Sequence, residues 1–173
     1  DIYNVAVGYH AGKQVTTGTN NTLVGGQAGD ALTTGADNVV IGRSALGLED
    51  TGSANVAIGY EALRDLNFDG TAYNICMGYQ TGKLISTGVR NNIIGALAGD
   101  ALTTGERNTA MGHGALGAET QGDRSTAIGY QALLKQNVGD DNANNTAVGY
   151  DAGGELTTAT DCVFIGAESG NSV

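Results

Sequence analysis

The residues best spaced for chemistry lie at Asp65–Gly70, which read D-L-N-F-D-G. The run matches the first half of a calcium loop, in which alternate oxygens converge on one cation and a glycine allows the turn. Asp65, Asn67 and Asp69 are the candidate ligands, and calcium is the ion they would take. The twelfth position of such a loop would be Cys76 rather than a bidentate Glu. An ordinary Asp/Asn/Gly turn in an inserted loop accounts for the same residues. His10 and His113 stand far apart in different repeat columns and form no metal pattern. No G-x-S-x-G, zinc spacing or phosphate loop occurs, and no carboxylate pair stands out. The expectation is a non-enzyme that requires no cofactor.

Aromatic residues form the second set. Tyr9, Tyr60, Tyr79, Tyr130 and Tyr150 each follow a glycine at the same place in a repeat. Tyr60 and Tyr79 fall in neighbouring repeats, as do Tyr130 and Tyr150, so a stacked ladder is expected. A carbohydrate-binding platform is the alternative.

The elements that must position these side chains are set by one period. A glycine behind an apolar triplet recurs at Gly8, Gly25, Gly42, Gly59, Gly78, Gly95, Gly112, Gly129, Gly149 and Gly166, spaced mostly by 17 residues, with one step of 19 and one of 20. Fixed spacing of this kind signals a stacked repeat architecture. Taking that glycine as position 5, position 1 is Asn in eight of ten repeats, with Ser125 and Cys162 as exceptions. Position 4 is always aliphatic or Met, and position 8 is Ala in eight repeats. Positions 2 to 4 suit a short strand, and a Thr-rich stretch such as L-T-T-G suits a second one. Stacked coils would pair strand on strand about 4.8 Å apart, so ten coils span roughly 45 Å. G-D-A-L-T-T-G occurs at Gly29–Gly35 and again at Gly99–Gly105, a four-coil superrepeat of about 70 residues. Where position 9 is Leu, position 12 tends to be acidic, as in Leu46 with Glu49 and Leu116 with Glu119. Two positions competing for one interior volume would behave this way.

Alternation along a strand puts positions 2 and 4 on one face and position 3 on the other. With position 4 assigned to the interior, position 3 faces outward: Ala6, Leu23, Val40, Ala57, Cys76, Ile93, Ala110, Ala127, Ala147 and Phe164. An exposed apolar strip marks an interface, and symmetry would bring the same strip together from each chain. These ten residues are therefore the expected trimer contact. A thicker monomeric solenoid with position 3 also internal is the alternative.

Composition narrows the partners. The net charge is −10, with eight basic residues, which disfavours nucleic acid and anionic membranes. No run of 18 apolar residues is present, so no membrane insertion is expected within the segment. Cys76 and Cys162 lie five coils apart, too far for an intrachain bridge, and read as small buried hydrophobes. The chain opens and stops inside a repeat, which suggests a single repeat domain over residues 1–173 cut from a longer fibrous protein.

The segments N-V-A-I-G-Y-E-A-L, N-T-A-M-G-H-G-A-L, S-T-A-I-G-Y-Q-A-L and N-T-A-V-G-Y-D-A-G resemble repeats in the head domains of YadA-like trimeric autotransporter adhesins. They look even more like the repeats of phage tail fibres. The resemblance spans all ten coils. It implies an all-β, left-handed parallel β-roll assembled as a homotrimer, a rigid rod on a virion tail or bacterial surface that attaches or displays a binding tip. A surface glycan or protein receptor is the implied partner. The 17-residue period and the Tyr after Gly depart from the adhesin heads and favour the tail-fibre comparison. Two other solenoid classes match less well. Hexapeptide acyltransferases need an aliphatic hexad three times per coil, whereas one appears here. Ice binders need alternating Thr, whereas Thr16–Thr17, Thr33–Thr34 and Thr103–Thr104 are adjacent.

Overall fold

The computed structural model describes residues 2–140 and 142–171. Ten three-residue strands follow in chain order: β1 Val5–Val7, β2 Thr22–Val24, β3 Val39–Ile41, β4 Val56–Ile58, β5 Ile75–Met77, β6 Asn92–Ile94, β7 Thr109–Met111, β8 Thr126–Ile128, β9 Thr146–Val148 and β10 Val163–Ile165. They form one parallel sheet in sequential order. Register is kept throughout, with position 3 opposite position 3 in every pair, such as Ala57 opposite Cys76 and Cys76 opposite Ile93. The two long coils do not break it, because their extra residues are absorbed before the next strand. The chain is thus a β-solenoid of about nine turns.

The Thr-rich stretches do not form a second strand. Outside the ten strands the described residues hold two isolated bridges, Ser53 with Thr71 and Asp123 with Asn142. Single backbone bonds still join those stretches coil to coil, as from Thr33 N to Asp50 O at 2.7 Å and from Thr103 N to Thr120 O at 2.7 Å.

Position 5 must be glycine for two reasons. Its φ lies between 118° and 144° in all ten coils, a region that L side chains rarely adopt. A Cβ on Gly95 would also lie 2.4 Å from the carbonyl oxygen of Gly112 in the coil beyond. The stacking distance leaves no room for a side chain there.

The interior is a narrow stack of Ala, Leu, Ile and Val. Position 3 points into it, which overturns the expected faces. Leu23, Val40, Ala57, Cys76, Ile93, Ala110, Ala127 and Ala147 are fully buried within the single chain. Ala6 is exposed and Phe164 half-buried, because each sits in a terminal coil. Position 4 points out, with Ile41, Met77, Ile94, Met111, Ile128 and Val148 exposed.

The interior volume is shared between positions 3 and 9. Where position 9 is Gly, position 3 or a neighbouring coil is large: a Cβ on Gly29 would meet Leu23 at 3.0 Å, and one on Gly99 would meet Ile93 at 2.8 Å. Where position 9 is Leu63, Leu116 or Leu133, position 3 is Ala57, Ala110 or Ala127, and the fourth such coil pairs Leu46 with the larger Val40. The expected exchange between positions 9 and 12 does not occur. Glu49 and Glu119 at position 12 remain fully buried alongside Leu46 and Leu116.

Candidate functional site

The residues with unspent binding capacity lie on the outer sheet face. Position 4 forms an unbroken column of Val, Ile and Met from Val7 to Ile165. Position 2 flanks it with Thr, Val and Ile, interrupted by Asn92. The arrangement follows from the strand itself: three residues per coil offer one inward and two outward side chains. Both outward columns are mainly apolar or Thr, so the sheet presents a continuous apolar face to solvent.

The expected trimer contact at position 3 is therefore corrected. Eight of those ten side chains lie in the chain's own core and offer no surface to a sister copy, and only Ala6 and Phe164 are open. An aliphatic column does face outward, one residue further along each strand.

Two of the three expected metal ligands have other partners, and the third, Asn67, is exposed to solvent. Asp65 is held by the neighbouring Arg64, whose Nη2 lies 2.7 Å from Oδ2. Asp69 Oδ1 accepts from the Thr51 hydroxyl at 2.7 Å. Between them Leu66 turns inward as a fully buried plug, and Phe68 packs against the core. The loop is shaped by those two apolar residues. Among the described residues no group of three or more His, Cys, Asp or Glu side chains could hold a metal ion.

Two ladders run along the rod. Apart from Asn55, whose Nδ2 donates to Ser53 O and to Asn38 Oδ1, each position-1 amide donates to the carbonyl at position 15 of its own coil, and all accept the backbone N–H of the next position 1. Asn38 Nδ2 to Gly52 O is 2.9 Å, and Asn55 N to Asn38 Oδ1 is 2.9 Å. The column is buried and largely spent on the fold. The aromatic ladder stands outside. Tyr60 stacks on Tyr79 and Tyr130 on Tyr150, both with centroids 5.3 Å apart, and His113 continues the second stack at 5.5 Å from Tyr130. His113 thus belongs to a column with the tyrosines, while His10 lies one place on and stacks on Tyr9.

The acidic residues at position 12 have a role that the repeat pattern did not reveal. Glu49 Oε1 accepts N–H groups from Gly52 at 2.6 Å and Thr51 at 3.1 Å, and Oε2 accepts from Phe68 in the next coil at 3.0 Å. Burial nevertheless pushes its carboxyl above the usual value. Glu119 likewise accepts the N–H groups of Gly122 and Val138. Both glutamates thereby fasten the expanded stretch late in the long coil that follows, at Phe68 and Val138, each position 14 of its coil. The signal was present in the sequence, since each precedes an expanded coil.

Cys76 and Cys162 are free thiols, the first fully buried and the second half-buried. Burial raises the Cys76 pKa and leaves its thiol protonated and inert. No helix among the described residues is long and apolar enough to cross a membrane. No family model, curated protein or solved structure matches the chain.

Proposed function

We propose that this chain is the shaft of an extracellular fibre or adhesin: a left-handed β-roll of three parallel copies that holds or displays a binding tip on a virion tail or bacterial surface. The observation that carries the reading is the outward aliphatic column at position 4. A water-exposed apolar stripe running the length of a rod is costly unless covered. A second and third copy are the fitting cover, because every copy carries the same stripe at the same axial spacing and a closed ring buries all of them.

The rest of the molecule agrees with a mechanical role. Its polar side chains inside are spent on coil-to-coil hydrogen bonds, and its outer Thr hydroxyls partly so: Thr33 Oγ1 donates to Asp50 O at 2.9 Å and Thr103 Oγ1 to Thr120 O at 2.8 Å. Those two hydroxyls are withdrawn from an ice-binding array.

Light scattering tests the reading. The expected mass is three times 17.4 kDa. A mass of 17.4 kDa at micromolar concentration, with the sheet intact by circular dichroism, overturns it.

A further inference from the structure

The two four-coil blocks are alike in backbone but differ at one spot on the side of the rod. In the second block, coil seven carries glycine at both positions 7 and 10, Gly114 and Gly117. Neither supplies a side chain, so the coils on either side stand as walls about 10 Å apart, two strand spacings. Leu97 and Asp100 form one wall, and Gln131 and Leu134 the other. The result is a notch of about 350 Å³, within the roughly 300–1,000 Å³ range of small-molecule clefts.

The same place in the first block carries larger side chains, Ser44 where the second block has Gly114 and Arg64 where it has Leu134. The Arg64 stem lies across Gly47, its Cγ at 3.6 Å from where a Cβ would stand. Its guanidinium is anchored by Asp65 and by Glu61 at 3.5 Å. Leu134 replaces Arg64 in the second block and also packs over the glycine, its Cδ1 3.2 Å from where a Gly117 Cβ would stand, but it is shorter and carries no guanidinium, and Gly114 replaces Ser44, so a notch is left beside it.

The lining has polar groups with nothing to bind. The Gln131 side-chain amide and the His113 ring nitrogens make no hydrogen bond to the described residues, although His113 stacks on Tyr130. The Asp100 carboxyl is drawn above its usual value by burial, against the pull of its own and the Ala101 N–H groups, Lys83 and His113. Lys135, at the rim, is already tied to Glu155 at 2.6 Å. Glu155 therefore neutralises Lys135, while the charges that bear on Asp100 are those of Lys83 and His113. An anion would face Asp100 on a chain of net charge −10, and a cation would face Lys83 and Lys135. A neutral ligand with apolar faces and a hydroxyl rim fits best.

We propose that this notch is a binding site for one pyranose unit of a neutral saccharide. Leu97, Leu134 and Ala118 take the C–H faces of the ring. Asp100 accepts from hydroxyls, and Gln131 and His113 both donate and accept. The site lies within one chain and stands whether or not the rod assembles.

The test uses the full chain with glucose, galactose, mannose and N-acetylglucosamine, read by amide shift perturbation and titration calorimetry. At least one sugar binds with a Kd of about 1 mM, shifting the Gly114 and Gly117 amides. Leu134→Arg, which copies the Arg64 plug, weakens binding by at least about tenfold while the thermal melt stays in place. Asp100→Asn and Gln131→Ala weaken it independently, so the proposal remains testable if Leu134→Arg fails to fold. Silence from all four sugars at about ten times a 1 mM Kd overturns the proposal. So does binding that survives these variants, or a preference for inorganic phosphate or tetramethylammonium over every sugar.

Discussion

Gln136 donates its side-chain amide to the Ser125 hydroxyl at 2.8 Å. Ser125 is a gap in the position-1 column, too short to reach the carbonyl its asparagine counterparts bind. Gln136 fills that gap from position 12 of the same coil, and also binds Glu119 Oε2 at 2.9 Å and accepts from Asn145 at 2.8 Å. One side chain thereby closes a fully buried network.

Gln136→Leu should unfold the chain more easily, by about 2–3 kcal/mol, since it strands buried polar atoms on Ser125 and Glu119. Urea denaturation measures this. Adding Ser125→Asn should recover part of the loss, because the asparagine can then complete its own column. No recovery in the double variant would show that the Gln136 contacts to Glu119 and Asn145 carry the effect.

Gly95→Ala should cost about 3 kcal/mol or more, from backbone strain plus a collision with Gly112. Gly166→Ala has the same backbone strain, but its Cβ would meet nothing within 4 Å among the described residues. It should cost only about 1–2 kcal/mol. Equal losses from the two would refute the claim that stacking distance dictates the glycine.

Two glutamates should titrate in opposite directions. Glu49 is raised by burial, so its contribution to stability is full at low pH and falls as pH rises through its folded pKa, which lies above 4.5. Urea midpoints across that range should show the fall in the native chain and a flatter profile in Glu49→Gln. Glu61 is lowered to about 2, chiefly by hydrogen bonds from Lys83 and Gln80. Its contribution is present above pH 4.5 and is lost as pH falls through about 2. Lys83→Ala should move the Glu61 carboxyl resonance back toward the ordinary range.

Adjacent residues on β6 separate folding from assembly. Ile93→Lys buries an unpaired ammonium in the core and should unfold the solenoid, at a cost of several kcal/mol. Ile94→Lys places the charge on the outer face, 36% exposed in the single chain. It should leave the sheet signal intact and reduce the scattering mass to one chain. An unchanged mass would mean that this column is not the contact.

The sequence alone determined the period, the ten strands, their stacking order and the ladders of Asn and Tyr. Each needs only that like residues recur at a fixed interval, which parallel stacking converts into contact. The faces were not legible in the same way. A three-residue strand has apolar residues on both sides here, and alternation says which side chains share a face without saying which face is inside.

Pairing of sizes did carry that information, with Leu at position 9 opposite Ala at position 3, but only once the coil's cross-section showed that those two positions meet. The candidate site was less legible still. Asp65, Asn67 and Asp69 look like ligands in one dimension, yet Leu66 and Phe68 bend the loop to serve the core. The notch over Gly114 and Gly117 is made by side chains that are missing, flanked by coils seventeen residues away on either side. Only the tertiary structure decides such a volume, because what fills or leaves it empty comes from the neighbouring turns.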